Sequence, residues 1–356
     1  MLKIGIITIH SDLNYGAALQ AYALCRYLIN MDYDAKIINY VKIPNSPRNY
    51  PFPKNIAYKL MNAPRFYRYR IFLKGSLSSV RYNSLEEIMN GFDEPFDIII
   101  SGSDQVWNPH CGGFVTRLNP AYYLAFAESA KYKKIAYGSS VGSHIFTKEE
   151  IPYIQKWLGE YAHLSTREVA GAKQLEAILG RGVKVVLDPT LLLSHKEWLK
   201  VSNSPKIKGK YLLVYYIDEI EEVVSYARKI ADRYGWRVVM PSNSASRYSG
   251  VDLNIPFCGP AEFLGLLNGA EYIVTNSFHG TAFAINFRKD FVSVIKRNSP
   301  QRAQTLLSSI SLADRLLTDI NDIDKLSDHI DYTEPIQKLE QLREESTKYL
   351  LNAIEE

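Results

Sequence analysis

Short apolar runs alternate with amphipathic stretches from the start of the chain. Leu2–Ile9 is largely apolar, the pattern of a strand buried on both faces, and polar His10–Gly16 separates it from a helical stretch running from Ala17 to about Met31. Ile37–Val41, Phe96–Ile100, Lys134–Tyr137 and Val183–Leu187 repeat the strand pattern, while Lys148–Tyr161 and Glu168–Leu179 carry helical periodicity. Residues 194–210, rich in Ser and Lys, interrupt the alternation, which then restarts. Strands are expected at Tyr211–Ile217, Trp236–Met240, Glu271–Thr275 and Phe291–Ile295. Helices are expected at Glu219–Tyr234, Pro260–Asn268, Thr281–Phe287 and from about Gln301. The charged tail Glu334–Ile354 is helical in period, with Leu339, Leu342, Tyr349 and Leu350 on one side. Alternating strands and helices predict parallel sheets covered on both faces. The expectation is an α/β protein of two Rossmann-like domains facing across a cleft, residues 1–193 and 211–332. A linker at 194–210 joins them, and a C-terminal helix at 333–356 packs back.

Composition changes this picture in one place only. The 356 residues are 46% hydrophobic and 22% charged, ordinary for a globular protein, and suit two domains. The formal charge of +4 is too small to argue for nucleic acid, and no nucleic-acid-binding module is evident. Cys25, Cys111 and Cys258 show no CxxC or Cys/His spacing, which argues for a reducing compartment and against a disulfide framework or a metal site. Met1 leads directly into a strand, and apolar runs such as Tyr211–Ile217 fall far short of the ~20 residues of a spanning helix. A cytoplasmic protein is expected. The exception is a stretch without any acidic residue between Asp34 and Glu86, in which Lys and Arg recur among aromatics, densest over Arg65–Phe72. It reads as a basic aromatic insertion at 42–82 in the first domain. Such a segment can lie on an anionic membrane face, clamp a diphosphate, or be a solvated insertion with buried tyrosine rings. Peripheral contact with the inner membrane face through 65–72 is the expectation it raises.

Three strand ends carry candidate chemistry. The Glu271–Thr275 strand gives way to Asn276-Ser277-Phe278-His279-Gly280 and then to a helix. Polar turns at the carboxyl ends of buried strands are where open α/β sheets bind ligands, and a helix start favours a phosphate or carboxylate. A histidine there can donate a proton beside the anion; the plain alternative is a helix-start histidine bonded to a neighbouring carbonyl. The first strand ends at His10–Gly16, and the Phe96–Ile100 strand runs into Ser101-Gly102-Ser103-Asp104-Gln105-Val106-Trp107-Asn108.

Together, Asn14-Tyr15-Gly16 with Leu19-Gln20, Gly102–Trp107 and Ser277–Gly280 resemble the polysaccharide pyruvyltransferase family, and Ser165–Glu168 and Asp188–Thr190 look like its intermediate motifs. The resemblance runs from Ile4 to about Leu317. It implies a GT-B-like fold and phosphoenolpyruvate as co-substrate, with no cofactor. A sugar diol, expected on a lipid-linked precursor of capsule or exopolysaccharide, would be the acceptor; the products would be a cyclic pyruvate ketal and phosphate. Such chemistry needs a proton donor for the enol carbon, contacts for phosphate and carboxylate, and a base near the hydroxyls. His279 is the candidate acid, and Asp104 the residue expected to contact acceptor hydroxyls, as base. Asn276, Ser277, Gly280 and Thr281 form the expected donor loop, with phosphate on the N–H groups around Gly280 and Thr281. Arg167 could fork onto a carboxylate or phosphate, or form a structural ion pair with Glu168 or a neighbour, and Arg302 is a second candidate anion contact. On the acceptor side stand Asn14, Tyr15, Gly16, Ser103 and Gln105, with Trp107 either stacking on a sugar ring or packing in the core. Asp188-Pro189-Thr190 is read as a strand end at the domain junction. Many family members carry arginine where this chain has Ser277, and leucine where it has Phe278. Arg167, Arg302 or Lys296 would have to compensate, or the donor differs. A nucleotide-sugar glycosyltransferase on the same fold and a non-catalytic saccharide-binding member are the competing readings.

Overall fold

Runs such as Tyr211–Tyr215, buried at every position, have no solvent face, and this is why they lie inside parallel sheets rather than at an antiparallel surface. The computed structural model describes residues 1–41, 54–92, 95–111, 118–128, 131–217, 219–242, 248–295 and 301–356, the side chains of 54–59 and 301 apart. The chain divides into two compact units: Met1–Leu60, Leu73–Leu192 and Leu342–Glu356 form the first, and Met61–Phe72 with Leu193–Gln341 the second.

In the first unit, β1 (Lys3–Ile7), β2 (Asp34–Tyr40), β3 (Leu77–Tyr82), β4 (Ile98–Ser101) and β5 (Lys133–Ala136) make a parallel sheet in the order β3-β2-β1-β4-β5. Beyond β5, bridges from Ile135 to His163 and from Ser139 to Thr166 attach a two-stranded sheet of β6 (Ser165–Thr166) and β7 (Lys184–Val185). Helices α1 (Tyr15–Asn30), α2 (Lys54–Leu73), α3 (Leu85–Met89), α4 (Ile151–Gly159) and α5 (Val169–Leu179) connect the strands. β1 and β4 are neighbours whose connections leave in opposite directions. Their carboxyl ends, Ile7 and Ser101, therefore flank the topological switch point, the crevice that open α/β sheets use for ligands.

The second unit repeats the plan. β8 (Tyr211–Tyr215), β9 (Arg237–Ser242), β10 (Leu253–Pro256), β11 (Tyr272–Thr275), β12 (Asp290–Val294) and β13 (Leu316–Leu317) are parallel in the order β10-β9-β8-β11-β12-β13. Its helices are α6 (His195–Leu199), α7 (Ile220–Tyr234), α8 (Pro260–Gly269), α9 (Phe278–Asn286) and α10 (Gln301–Ser309). α7 buries Val223, Val224, Ala227, Ile230 and Ala231 along one stripe and stops at Gly235, whose left-handed φ of 66° suits the C-terminal cap. The switch point here lies between β8 and β11, at Tyr215 and Thr275.

Three expectations need correction. Residues 194–199 are no linker: Ser194 and Glu197 form a capping box for α6, and Trp198 is fully buried. The 42–82 segment is no simple insertion, since β3 is an edge strand of the sheet and 61–72 of α2 belong to the second unit. There the Arg68 guanidinium donates to the Phe257 carbonyl at 2.7 Å; residues 42–53 lie outside the described residues. Helix α1 begins at Tyr15 rather than Ala17, because Asn14 caps it. The tail forms α11 (Thr333–Glu355), and its last part packs back on the first unit. There Ser346 Oγ accepts from the Leu187 N–H at 2.9 Å, and the Tyr349 hydroxyl donates to the Ala136 carbonyl at 3.1 Å.

Candidate functional site

At the first switch point the β1 and β4 ends are stitched together. The Thr8 hydroxyl donates to the Ser103 carbonyl at 2.6 Å and accepts from the buried Gln20 amide at 3.0 Å. Beyond Ser103, Asp104 adopts a left-handed φ of 74°, a region that Asp tolerates better than most side chains. Its carbonyl accepts from the N–H groups of Val106 (2.8 Å) and Ser140 (2.9 Å), which fixes the turn. The backbone thus turns Asp104 toward the carboxyl ends of β5 and β6, where Arg167 and Glu168 begin the next loop.

Asp188 organises what gathers there. One carboxylate oxygen caps the turn Pro189–Leu191, accepting from the Thr190 N–H (2.9 Å) and hydroxyl (2.7 Å). The other accepts from the Ser103 hydroxyl at 3.0 Å and from the Arg167 guanidinium. Arg167 also lies 3.6 Å from Asp104 Oδ1, and the Ser140 hydroxyl donates to Glu168. Burial opposes the Arg167 charge, but Asp188, Glu168 and Asp104 outweigh it and raise the guanidinium above its ordinary pKa. The result is one buried cation among three carboxylates, of which Asp104 is the most exposed.

This geometry corrects several expected roles. Arg167, its side chain 2% exposed, pairs with Asp188 in the first unit and lies close to Asp104, the structural ion pair with a neighbour that stood as the alternative to an anion contact. Ser103 is fully buried and spends its hydroxyl on Asp188. Trp107 is also fully buried: it stacks on Tyr123 with ring centroids 5.8 Å apart and donates from Nε1 to the Tyr122 carbonyl, so it belongs to the core and not to a sugar platform. Asn14 spends its side chain on the Ala17 N–H at 3.1 Å, and the Tyr15 ring and Gly16 are buried at the start of α1. Gln105 remains partly exposed and accepts from the Asn108 amide at 2.7 Å. Asp188 itself is more than a strand end. The Asp before Pro at a helix start was the local sign of its capping, but its hold on Arg167 and Ser103 has no local sign.

At the second switch point the Ile217 N–H donates to Asn276 Oδ1 at 2.9 Å, tying the β8 and β11 ends together. Ser277 then caps α9: its Oγ accepts from the Gly280 N–H at 3.4 Å and its carbonyl from the Thr281 N–H at 3.0 Å. Those two N–H groups are therefore engaged within the helix, which corrects their assignment as the phosphate seat. The Thr281 hydroxyl is also internal, bonded to Ser277 and, at 2.9 Å, to Ser293. Gly280 is required by packing, since a Cβ there would stand 2.2 Å from Thr275 Oγ1. His279 lies in the first turn of α9, largely buried, its ring edge-on to Phe278 at 5.3 Å. Arg302, at the start of α10, lies over the Phe278 ring at 5.8 Å, within the range of a cation–π contact. Structure thus gathers Asn276, Ser277, His279, Gly280, Thr281 and Arg302 in the second unit, and Ser103, Asp104 and Arg167 in the first. Lys296 lies outside the described residues.

The profile of the family described as polysaccharide pyruvyl transferase matches residues 14–299. No curated protein matches the sequence. Among solved structures, UDP-GlcNAc 2-epimerase from Neisseria meningitidis, bound to UDP-GlcNAc, is similar over 99% of this chain and 99% of its own, with TM-score 0.54 and 12% identity. The Methanocaldococcus jannaschii enzyme, in complex with UDP-GlcNAc and UDP, matches over 98% and 99%, with TM-score 0.54 and 15% identity. UDP-N-acetylglucosamine 2-epimerase from Rickettsia bellii matches over 99% and 96%, with TM-score 0.52 and 11% identity. At such identities the likeness shows the fold alone, a GT-B fold of two Rossmann-like units.

Proposed function

Because this chain belongs to the polysaccharide pyruvyl transferase family, we propose that it transfers pyruvate from phosphoenolpyruvate to a sugar diol of a surface-polysaccharide precursor, forming a ketal and releasing phosphate. One observation carries the reading: a histidine in the first turn of α9, at the switch point of the second sheet, with an arginine within reach of the same turn. The reaction protonates the methylene carbon of the enol, and an acceptor hydroxyl attacks the oxocarbenium-like carbon. Phosphate leaves with the electron pair of its C–O bond, and the second hydroxyl closes the ketal. In this proposal His279 donates the proton, the positive end of α9 and Arg302 face the donor's negative charge, and Asp104 receives a hydroxyl proton. Ser277 supplies no charge, and in this proposal Arg302 supplies the cation for the donor.

The test is phosphate release from phosphoenolpyruvate with galactose-, glucose-, mannose- and N-acetylmannosamine-containing acceptors, with His279→Ala beside the wild type. Acceptor-dependent release that falls about 10²- to 10⁴-fold in the variant supports both the reaction and the acid. Release untouched by the substitution removes His279 from the role. If no acceptor elicits release and nucleotide sugars alone raise the melting temperature, the pyruvyl donor is wrong and nucleotide-sugar transfer replaces it.

A further inference from the structure

Helix α2 has one face bound to the protein and an opposite face of unusual chemistry. At ~100° per residue, Asn62, Arg65, Tyr69 and Leu73 fall on one side of the helix, and all four are buried. Leu60, Pro64, Tyr67, Ile71 and Lys74 fall within an arc of about 80° diametrically opposite, and all five are exposed. The exposure is large: 70% for Leu60, 66% for Tyr67 and 52% for Ile71. Arg68 and Arg70 flank the stripe on its two sides, both exposed. An ordinary solvated helix face would carry both signs of charge. This helix has no acidic residue, and none occurs between Asp34 and Glu86. That acid-free stretch holds ten Lys and Arg against a whole-chain charge of +4, so the remainder of the chain is net −6.

We infer that this face of α2 seats the protein on an anionic lipid bilayer. Leu60, Tyr67 and Ile71 would enter the boundary between headgroups and acyl chains, with Arg70 and Lys74 among the phosphates; Arg68 is held by the Phe257 carbonyl and by Glu262 at 3.8 Å and is not counted on. An apolar stripe edged by cations is the pattern of an in-plane interfacial helix, and tyrosine suits a site with one apolar and one wet side. Nucleic acid would want cations at the centre of the face, where Leu60, Tyr67 and Ile71 stand instead. A second copy of the chain would bring the same cations together around a two-fold axis. The structure also redraws the expected contact over 65–72, because Arg65 and Tyr69 face inward and cannot take part. The inference is independent of the pyruvyl-transfer reading.

Co-sedimentation of the full chain with phosphatidylcholine vesicles, with and without phosphatidylglycerol, tests it. Wild type should bind the anionic vesicles, weakly or not at all the neutral ones, and less as salt rises. With about fivefold in affinity per basic residue, Arg70→Glu with Lys74→Glu should weaken anionic binding on the order of a hundredfold. Tyr67→Ser with Ile71→Ser should weaken it by roughly tenfold or more. Melting temperatures identify any pair that fails to fold, and the single changes Arg70→Gln and Tyr67→Ser then take its place, with proportionately smaller losses. Absence of wild-type binding at low salt, or binding that ignores both pairs, overturns the inference. So does a wild-type dimer that Ile71→Ser dissociates without any vesicle binding, or preference for nucleic acid over vesicles.

Discussion

The two units share one strand order, yet their switch points are made of different materials. In the first, loops after β4, β6 and β7 bring Asp104, Glu168 and Asp188 around a single guanidinium. In the second, residues 275–281 contain no Asp, Glu, Lys or Arg, and the loop is held by hydrogen bonds from Ile217, Gly280 and Thr281 and by close packing of Gly280 on Thr275. Each also carries a histidine. His10, in the loop after β1, is buried with its two ring nitrogens against the Thr8 carbonyl and Asn39, whereas His279 sits at a helix start. The lesson is electrostatic. A buried cluster with more carboxylates than cations repels an anion and serves to hold one aspartate in place, while a helix start without carboxylates can receive one.

The comparison breaks first at Asp188. Asp188→Ala would leave Arg167 buried with its main partner gone and would free Ser103 and Thr190. It should destabilise the protein by about 3–5 kcal/mol, read from denaturant unfolding. A loss under about 1 kcal/mol would show that the ionic cluster does not hold the first switch point together. In the second unit the corresponding blow is steric: Gly280→Ala drives a methyl group into Thr275 and should cost about 1–3 kcal/mol. Adding Thr275→Ala should recover part of that loss, in the same unfolding measurement, if the clash is the cause. The smallest effect concerns His10, whose pKa burial pulls below its ordinary 6.5, against the opposing pull of its hydrogen bonds. As pH falls through 6.5 the unfolded chain takes up a proton that the folded imidazole resists, so this contribution to stability is intact above 6.5 and lost below it. His10→Gln should flatten the acid side of a stability–pH curve, by no more than about 1.4 kcal/mol per pH unit.

Much of this was legible along the chain, and the misses have physical causes. Strands buried on both faces announce themselves as unbroken apolar runs, so β1, β4, β8 and β11 could be found, and with them the loops that follow. β3 could not: it is an edge strand, and Leu77-Ser78-Ser79-Val80-Arg81-Tyr82 has too little apolar content to stand out from a basic stretch. Trp107 illustrates a second limit, since an aromatic near a strand end reads the same whether it faces a ligand or Tyr123. Arg167 illustrates a third. Its partner Asp188 lies 21 residues away, and Ser103 lies 85 residues from the same carboxylate.

Sequence by itself determined the class of fold, the family, and the loops at which polar chemistry accumulates, because burial periodicity and turn composition are local properties. Tertiary structure alone decided which polar side chains are spent on one another, which face of α2 remains exposed, and that Asp104 rather than Ser103 or Arg167 keeps an accessible edge. Those outcomes depend on which residues distant in sequence meet in a low-dielectric interior, where an unmatched charge or an unfilled hydrogen bond is costly.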